Sequence, residues 1–247
     1  MEGFIADTLY DQSMRKRKNS LINTKIIIRV LGILLFVETA MFLLCALVSW
    51  FYEEKETLTF LQTAAINTAV GIVLILLSRG AERKLTKRDG YCIASLSWVL
   101  FSAFGMLPFY LSGSVDSITN AFFETMSGFT TTGATIMDNI DSQPHGILFW
   151  RSLTQWIGGL GIVCFAIAIL PIFNEGNMQL FSAEATGVTH NKLHPKISIM
   201  VKWIWGVYLM LTTSVTLLLY IGGMNWFDAV CHAFATTATG GLRVTVA

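Results

Sequence analysis

Long apolar runs separated by short charged links dominate the chain. A run of more than about 18 residues with few charges fits a helix that spans a bilayer. Five can be drawn: about Ile26–Trp50, Leu58–Ser78, Tyr91–Leu111, Gly146–Phe173 and Ile197–Ile221. Between the third and fourth, and again after the fifth, the pattern changes. A segment too short to cross, Ser117 to Met126, runs into Ser127-Gly128-Phe129-Thr130-Thr131-Thr132-Gly133-Ala134. Non-helical backbone at membrane depth is stable only where protein buries it or water lines it. Consecutive carbonyls of such a loop, turned to water, can replace the hydration shell of a cation. The pattern predicts an all-α integral membrane fold in which short helix–loop segments re-enter between the spans.

Composition points the same way. Of 247 residues, 53% are hydrophobic and 13% charged, against about 25% charged in a soluble domain. The mean hydropathy is +0.59. The net charge of +1 matters less than where the charges sit. Arg15, Lys16, Arg17, Lys18 and Lys25 precede the first run. That run is too long for a signal-peptide core and has no small-residue cleavage site, so it is expected to be a retained helix. The link Phe51-Tyr52-Glu53-Glu54-Lys55-Glu56 is acidic, whereas the next holds Arg79, Arg83, Lys84, Lys87 and Arg88. Lys192, Lys196 and Lys202, with His190 and His194, follow the fourth run. The positive-inside rule then places the N-terminus and both basic links in the cytoplasm, and both Thr/Gly segments on the outer side. Trp50, Tyr52, Tyr91, Trp150 and Tyr220 stand near span ends, as an interfacial belt would. Cys45, Cys92, Cys164 and Cys231 lie in or beside apolar runs without metal-ligand spacing and read as small hydrophobes. No HExxH, no paired intramembrane carboxylates and no nucleophile–base pair appears, which argues against an enzyme.

The short segment recurs. At an offset of 108 residues Gly133 meets Gly241, Thr131 meets Thr239, Ala121 meets Ala229 and Asn120 meets Asp228. The same offset lays Tyr91–Leu111 inside the Ile197–Ile221 run. Gly133 and Gly241 suit backbone of positive φ, which glycine adopts without steric cost. Asp116 or Ser117 is expected to cap the first short helix, and Asn225 the second. A helix that runs inward from the outer surface turns its partially negative C-terminal end to the centre, which favours a cation. Taken singly, Thr-Thr-Thr-Gly is also an ordinary polar turn; the duplication is what raises it above that.

Other residues divide between two readings. Glu124 could add negative potential near the loop, with a buried hydrogen-bonding role favoured; His232, its counterpart, is expected to be structural. Glu38, mid-span, is expected to hydrogen-bond between helices. Arg151 is expected to snorkel from its span end to the interface. Gly158, Gly159 and Gly161, with Gly146 nearby, form a small-residue face suited to close helix packing.

Phe122-Phe123-Glu124-Thr125-Met126-Ser127-Gly128-Phe129-Thr130-Thr131-Thr132-Gly133-Ala134-Thr135 resembles the first pore loop of the bacterial Trk-type potassium uptake proteins, the TrkH/KtrB superfamily. So does Trp150-Arg151-Ser152-Leu153-Thr154-Gln155-Trp156-Ile157-Gly158-Gly159-Leu160-Gly161-Ile162. Gly176 to Glu184 resembles the connection between the family's first two repeats, and Asp228 to Gly241 its second pore loop. Two extra helices before the first repeat, as here, resemble the TrkH branch. The resemblance implies four helix–pore–helix repeats around one potassium pathway, two such subunits forming a dimer in the bacterial inner membrane, and uptake of the symport type. Potassium would be the substrate, with no cofactor. Backbone carbonyls of Thr131, Thr132 and Gly133 would bind it in the first loop, and those of Thr239, Gly240 and Gly241 in the second. A single glycine per loop would explain modest selectivity over sodium.

The family's partner is a cytoplasmic nucleotide-binding subunit, with membrane lipid around the spans and nucleic acid not expected. Lys192, Lys196 and His194 could dock that subunit; ordinary positive-inside charge is the favoured reading. The resemblance divides the chain into a cytoplasmic segment 1–25, two extra helices and a basic loop 26–90, a first repeat 91–173, a loop 174–196 and an incomplete second repeat 197–247. The chain stops six residues after Gly241, where an aromatic and then a closing helix are expected. It therefore reads as an N-terminal fragment, truncated or frameshifted, with two of four loops. A non-conducting remnant is the alternative. A two-helix tetrameric channel fits less well, since its Thr-Val-Gly-Tyr-Gly signature is absent.

Overall fold

The computed structural model describes residues 23–80, 87–137, 139–161 and 197–241, with 87, 141 and 197–200 described by backbone alone. Helix α1 spans Thr24–Phe51 and α2 spans Glu56–Leu77. Asn23 opens α1, its side chain accepting from the Ile26 N–H at 3.3 Å. The two helices form a tight antiparallel pair because glycines meet at their crossing. A methyl group on Gly32 would lie 3.2 Å from the Gly71 carbonyl, and one on Gly71 3.3 Å from that of Gly32. One turn further, Asn67 of α2 donates to the Leu35 carbonyl at 3.0 Å, and to Thr39 Oγ1 and Glu38 Oε2 at 3.3 Å each. Glu38 thus takes the interhelical hydrogen bond expected of it.

The third apolar run is not one straight rod. Helix α3 covers Lys87–Gly105 and a separate short α4 covers Leu107–Leu111. Pro108 causes the break, since proline lacks an N–H and its ring clashes with the preceding turn. The Gly105 carbonyl at this break accepts the Trp150 indole N–H at 2.9 Å. The first short helix, α5, is Ile118–Phe129. A 3₁₀ turn at Ile140–Ser142 leads to helix α6, described over 145–161. The remainder of the run expected to Phe173 lies outside the described residues, as do Cys164, His190, Lys192, His194 and Lys196. Helix α7 is Ile197–Ile221, matching the expected span, and the second short helix, α8, is Trp226–Thr237.

Among the described residues, four helices are long and apolar enough to cross a membrane: Thr24–Phe51, Glu56–Leu77, Arg88–Leu111 (α3 with α4) and Val201–Ile221. The described secondary structure is helical, with no strand. Asn23 N–H donates to Asp89 Oδ1 at 2.8 Å, so α1 and α3 start on one face. On the opposite rim, Tyr52 stacks on His145 with ring centres 3.9 Å apart, and Phe227 meets both. Glu54 accepts from the His145 N–H at 2.6 Å and the Gly146 N–H at 3.0 Å, capping α6. The end of α1 and the starts of α6 and α8 therefore share that rim. At 1.5 Å per residue the 12 residues of α5 carry the chain about 18 Å inward, roughly half the hydrocarbon depth. Phe129, the last of them, is buried beside Phe101 and Trp150 in the main core. Cys45 and Cys231 are buried and Cys92 half-buried, all three free, as small hydrophobes would be.

Candidate functional site: the paired threonine–glycine turns

Both short helices end in the same way. In α5, Thr130 N–H donates to the Met126 carbonyl, Thr131 N–H to Gly128 and Thr132 N–H to Ser127, at 2.9, 2.9 and 3.0 Å. In α8, Ala238 donates to Phe234, Thr239 to Thr236 and Gly240 to Ala235, at 3.1, 3.0 and 3.0 Å. Each bond recurs at the offset of 108 residues, as do both ends of the helix itself. This is the Schellman arrangement, whose pivot is usually a left-handed glycine. Here the pivots are threonines: Thr131 at φ +54° and Thr239 at φ +56°. A β-branched residue in that region is strained, and such strain clusters at ligand clamps and functional sites. Two residues later Gly133 and Gly241 also take positive φ, +76° and +65°. The sequence pointed to the glycines; nothing in residue type marked the threonines as left-handed.

The turns come together. A methyl group on Gly133 would run into the Gly240 carbonyl. Thr132, Thr239 and Gly241 are exposed, Thr131 and Gly133 half-buried, and Gly240 buried. Thr130 and Thr132 hydroxyls pair at 2.8 Å, and Ser127 Oγ donates across the first turn to the Ala134 carbonyl at 2.6 Å. Among the described residues no group of three or more His, Cys, Asp or Glu gathers. The turns themselves present backbone carbonyls and threonine hydroxyls.

Helix α6 runs between the two short helices and its glycines allow the approach. A side chain on Gly158 would strike the Phe129 carbonyl at the end of α5. One on Gly159 would come within 3.0 Å of Ala238 Cα at the end of α8. Gly161 has only ordinary contact, 3.5 Å, with Trp98. The small-residue face packs as expected, and it packs against both helix ends. On the same helix the Gln155 carboxamide is fully buried against Gly240.

Asn225 caps α8, its side chain accepting from the Asp228 N–H at 2.8 Å. Ser117 holds the cap position of α5 but its side chain makes no capping bond. Arg151 does not snorkel. It is 2% exposed and its Nε donates to Glu124 Oε1 at 2.7 Å. The reason is tertiary: α5 lies against α6 and offers a carboxylate at that level, which outcompetes the interface. Glu124 has the buried hydrogen-bonding role favoured for it. It accepts from Thr135 Oγ1 at 3.0 and 3.1 Å and from the Ile136 N–H at 3.0 Å.

A bundle of membrane-length helices with two short helices that share one strained ending defines an all-α integral membrane protein. Its residues 56–247 match the model of the TrkH family, described as "Cation transport protein", and the chain belongs to that family. It is 42% identical over 217 residues to the Trk system potassium uptake protein TrkH of Escherichia coli K12, covering 87% of this chain and 45% of that protein. It is 40% identical over 219 residues to TrkH of Halomonas elongata, covering 88% and 45%. It is 31% identical over 221 residues to TrkG of Escherichia coli K12, covering 89% and 46%. The crystal structure of the potassium transporter TrkH from Vibrio parahaemolyticus matches with a TM-score of 0.77 and 34% identity, over 90% of this chain and 45% of that one. The chain thus spans about half the length of the relatives it matches.

Proposed function

We propose that this chain forms part of the potassium pathway of a Trk-type uptake system, with the two threonine–glycine turns as segments of its selectivity filter. Carbonyls of Thr131, Thr132 and Gly133, and of Thr239, Gly240 and Gly241, bind the partly dehydrated ion. The observation that carries the reading is the matched ending of α5 and α8: the same bonds, left-handed pivots and glycines at one offset, brought side by side. The C-terminal ends of both helices lie at the turns, where their partial negative charge favours a cation. The protein sits in the bacterial inner membrane with its N-terminus in the cytoplasm. It works as a dimer with a cytoplasmic nucleotide-binding subunit.

The test is growth on limiting potassium of a bacterial strain lacking its own uptake systems. The whole native gene restores growth, and Gly133→Ser in that gene abolishes it. Uptake unchanged by Gly133→Ser would sink the filter assignment.

A further inference from the structure

The limb that leaves the first turn is tied down from behind, at a place the carbonyl chemistry does not touch. Glu124 sits in α5 with its carboxylate wholly buried. One oxygen receives Arg151 Nε, the other the Ile136 N–H, and Thr135 Oγ1 reaches both. Thr135 in turn accepts from the Met137 N–H at 3.2 Å. Two helices and the limb therefore meet at one carboxylate. Burying an ion pair costs desolvation that its attraction barely offsets, so such a pair is weak as a stabiliser. What it supplies here is geometry: an ionised carboxylate only accepts, so every group around it must present a hydrogen. At the matching register of α8 stands His232, which has no carboxylate to offer.

We infer that Glu124 and Arg151 are positioning residues: their ion pair fixes the Thr135–Ile136 limb and thereby holds the first turn's carbonyls at the spacing that prefers potassium to sodium. This rests on the filter reading above. Arg151 holds the carboxylate in place through Nε. Without it, the carboxylate loses that donor, turns about its side-chain torsions, and releases part of the limb. A limb free to relax lets the Thr131–Gly133 carbonyls close on a smaller ion.

The experiment uses the product of the whole native gene, with its amount in the membrane quantified. Arg151→Gln and Glu124→Met should raise the apparent KM for potassium on the order of tenfold, the usual scale for outer-shell partners of an ion site. Sodium should compete more strongly, while Vmax per molecule changes little. Arg151→Lys should recover part of the loss. The double variant Glu124→Met with Arg151→Met replaces the pair by apolar groups, so it keeps the fold and still shows the altered KM. Amide hydrogen exchange at Ile136 gives a readout independent of transport: protection present in the parent protein is lost in Glu124→Met and in the double variant. Uptake that falls only with protein amount, at unchanged KM and sodium competition, overturns the inference. So does retained Ile136 protection. A parent protein that takes up no potassium sinks the filter reading instead, and the exchange measurement still decides the tether.

Discussion

At the scale of single residues, the left-handed threonines carry the most information. Glycine would fit Thr131 and Thr239 without strain, so the strain of about 1–3 kcal/mol that such residues hold is retained at turns that leave Thr132, Thr239 and Gly241 exposed. Thr131→Gly is therefore expected to stabilise the protein by about 1 kcal/mol while weakening potassium discrimination. Thermal melting in detergent and sodium competition of uptake check the two halves separately. The buried pair behaves in the opposite sense. Glu124→Met alone breaks the buried ion pair with Arg151 and is expected to cost about 3–5 kcal/mol. The double variant should cost clearly less, a difference that the same melts would show. Glu38 and Asn225 were legible in the sequence because a mid-span carboxyl and a residue at a helix start have few options. Arg151 was not. From its place near a span end, snorkelling is the default, and only the carboxylate 27 positions earlier, delivered by packing, reverses it.

At the scale of elements, the apolar runs located the described ends of the membrane helices to within a few residues, because a bilayer demands continuous hydrophobicity that sequence displays directly. The third run shows the limit. Its hydrophobicity is unbroken, yet Pro108 divides it into α3 and α4, and Trp150 from α6 satisfies the Gly105 carbonyl at the division. Trp150→Phe removes that buried bond and is expected to lower stability by about 1–3 kcal/mol. The glycine face of α6 is graded in the same way. Gly158→Ala should overpack against the Phe129 carbonyl and cost about 1–3 kcal/mol. Gly161→Ala, with ordinary contact only, should stay within about 0.5 kcal/mol. Equal losses at both positions, measured by unfolding in a common detergent, would count against this packing.

At the scale of the whole molecule, α6 is the common support. Its start is pinned at the rim by Glu54 and by the Tyr52–His145 stack. Its middle holds Arg151 and Gln155, four residues apart and so on one face. Its far half seats Phe129 and Ala238, the ends of the two short helices. Tyr208 of α7 reaches back to the Trp156 carbonyl at 2.9 Å, and Trp156 Nε1 donates to Thr212 Oγ1 at 3.0 Å, which ties α7 to the same spine. Glu54→Ala, remote from the turns, is thus expected to loosen the rim and raise hydrogen exchange at the first turn of α6, leaving the Ile136 amide protected.

The sequence by itself determined the membrane helices, the two short helices and the offset that relates them. These are properties of local hydrophobicity and of residue order, and they survive without knowing any contact. Only the tertiary structure decided that Gly133 faces Gly240, that Arg151 answers Glu124, and that threonines take the left-handed pivots. Those depend on which surfaces meet across many residues of chain. Inside a bilayer a polar group settles on whatever partner packing brings within reach, and residue type does not say which partner that will be.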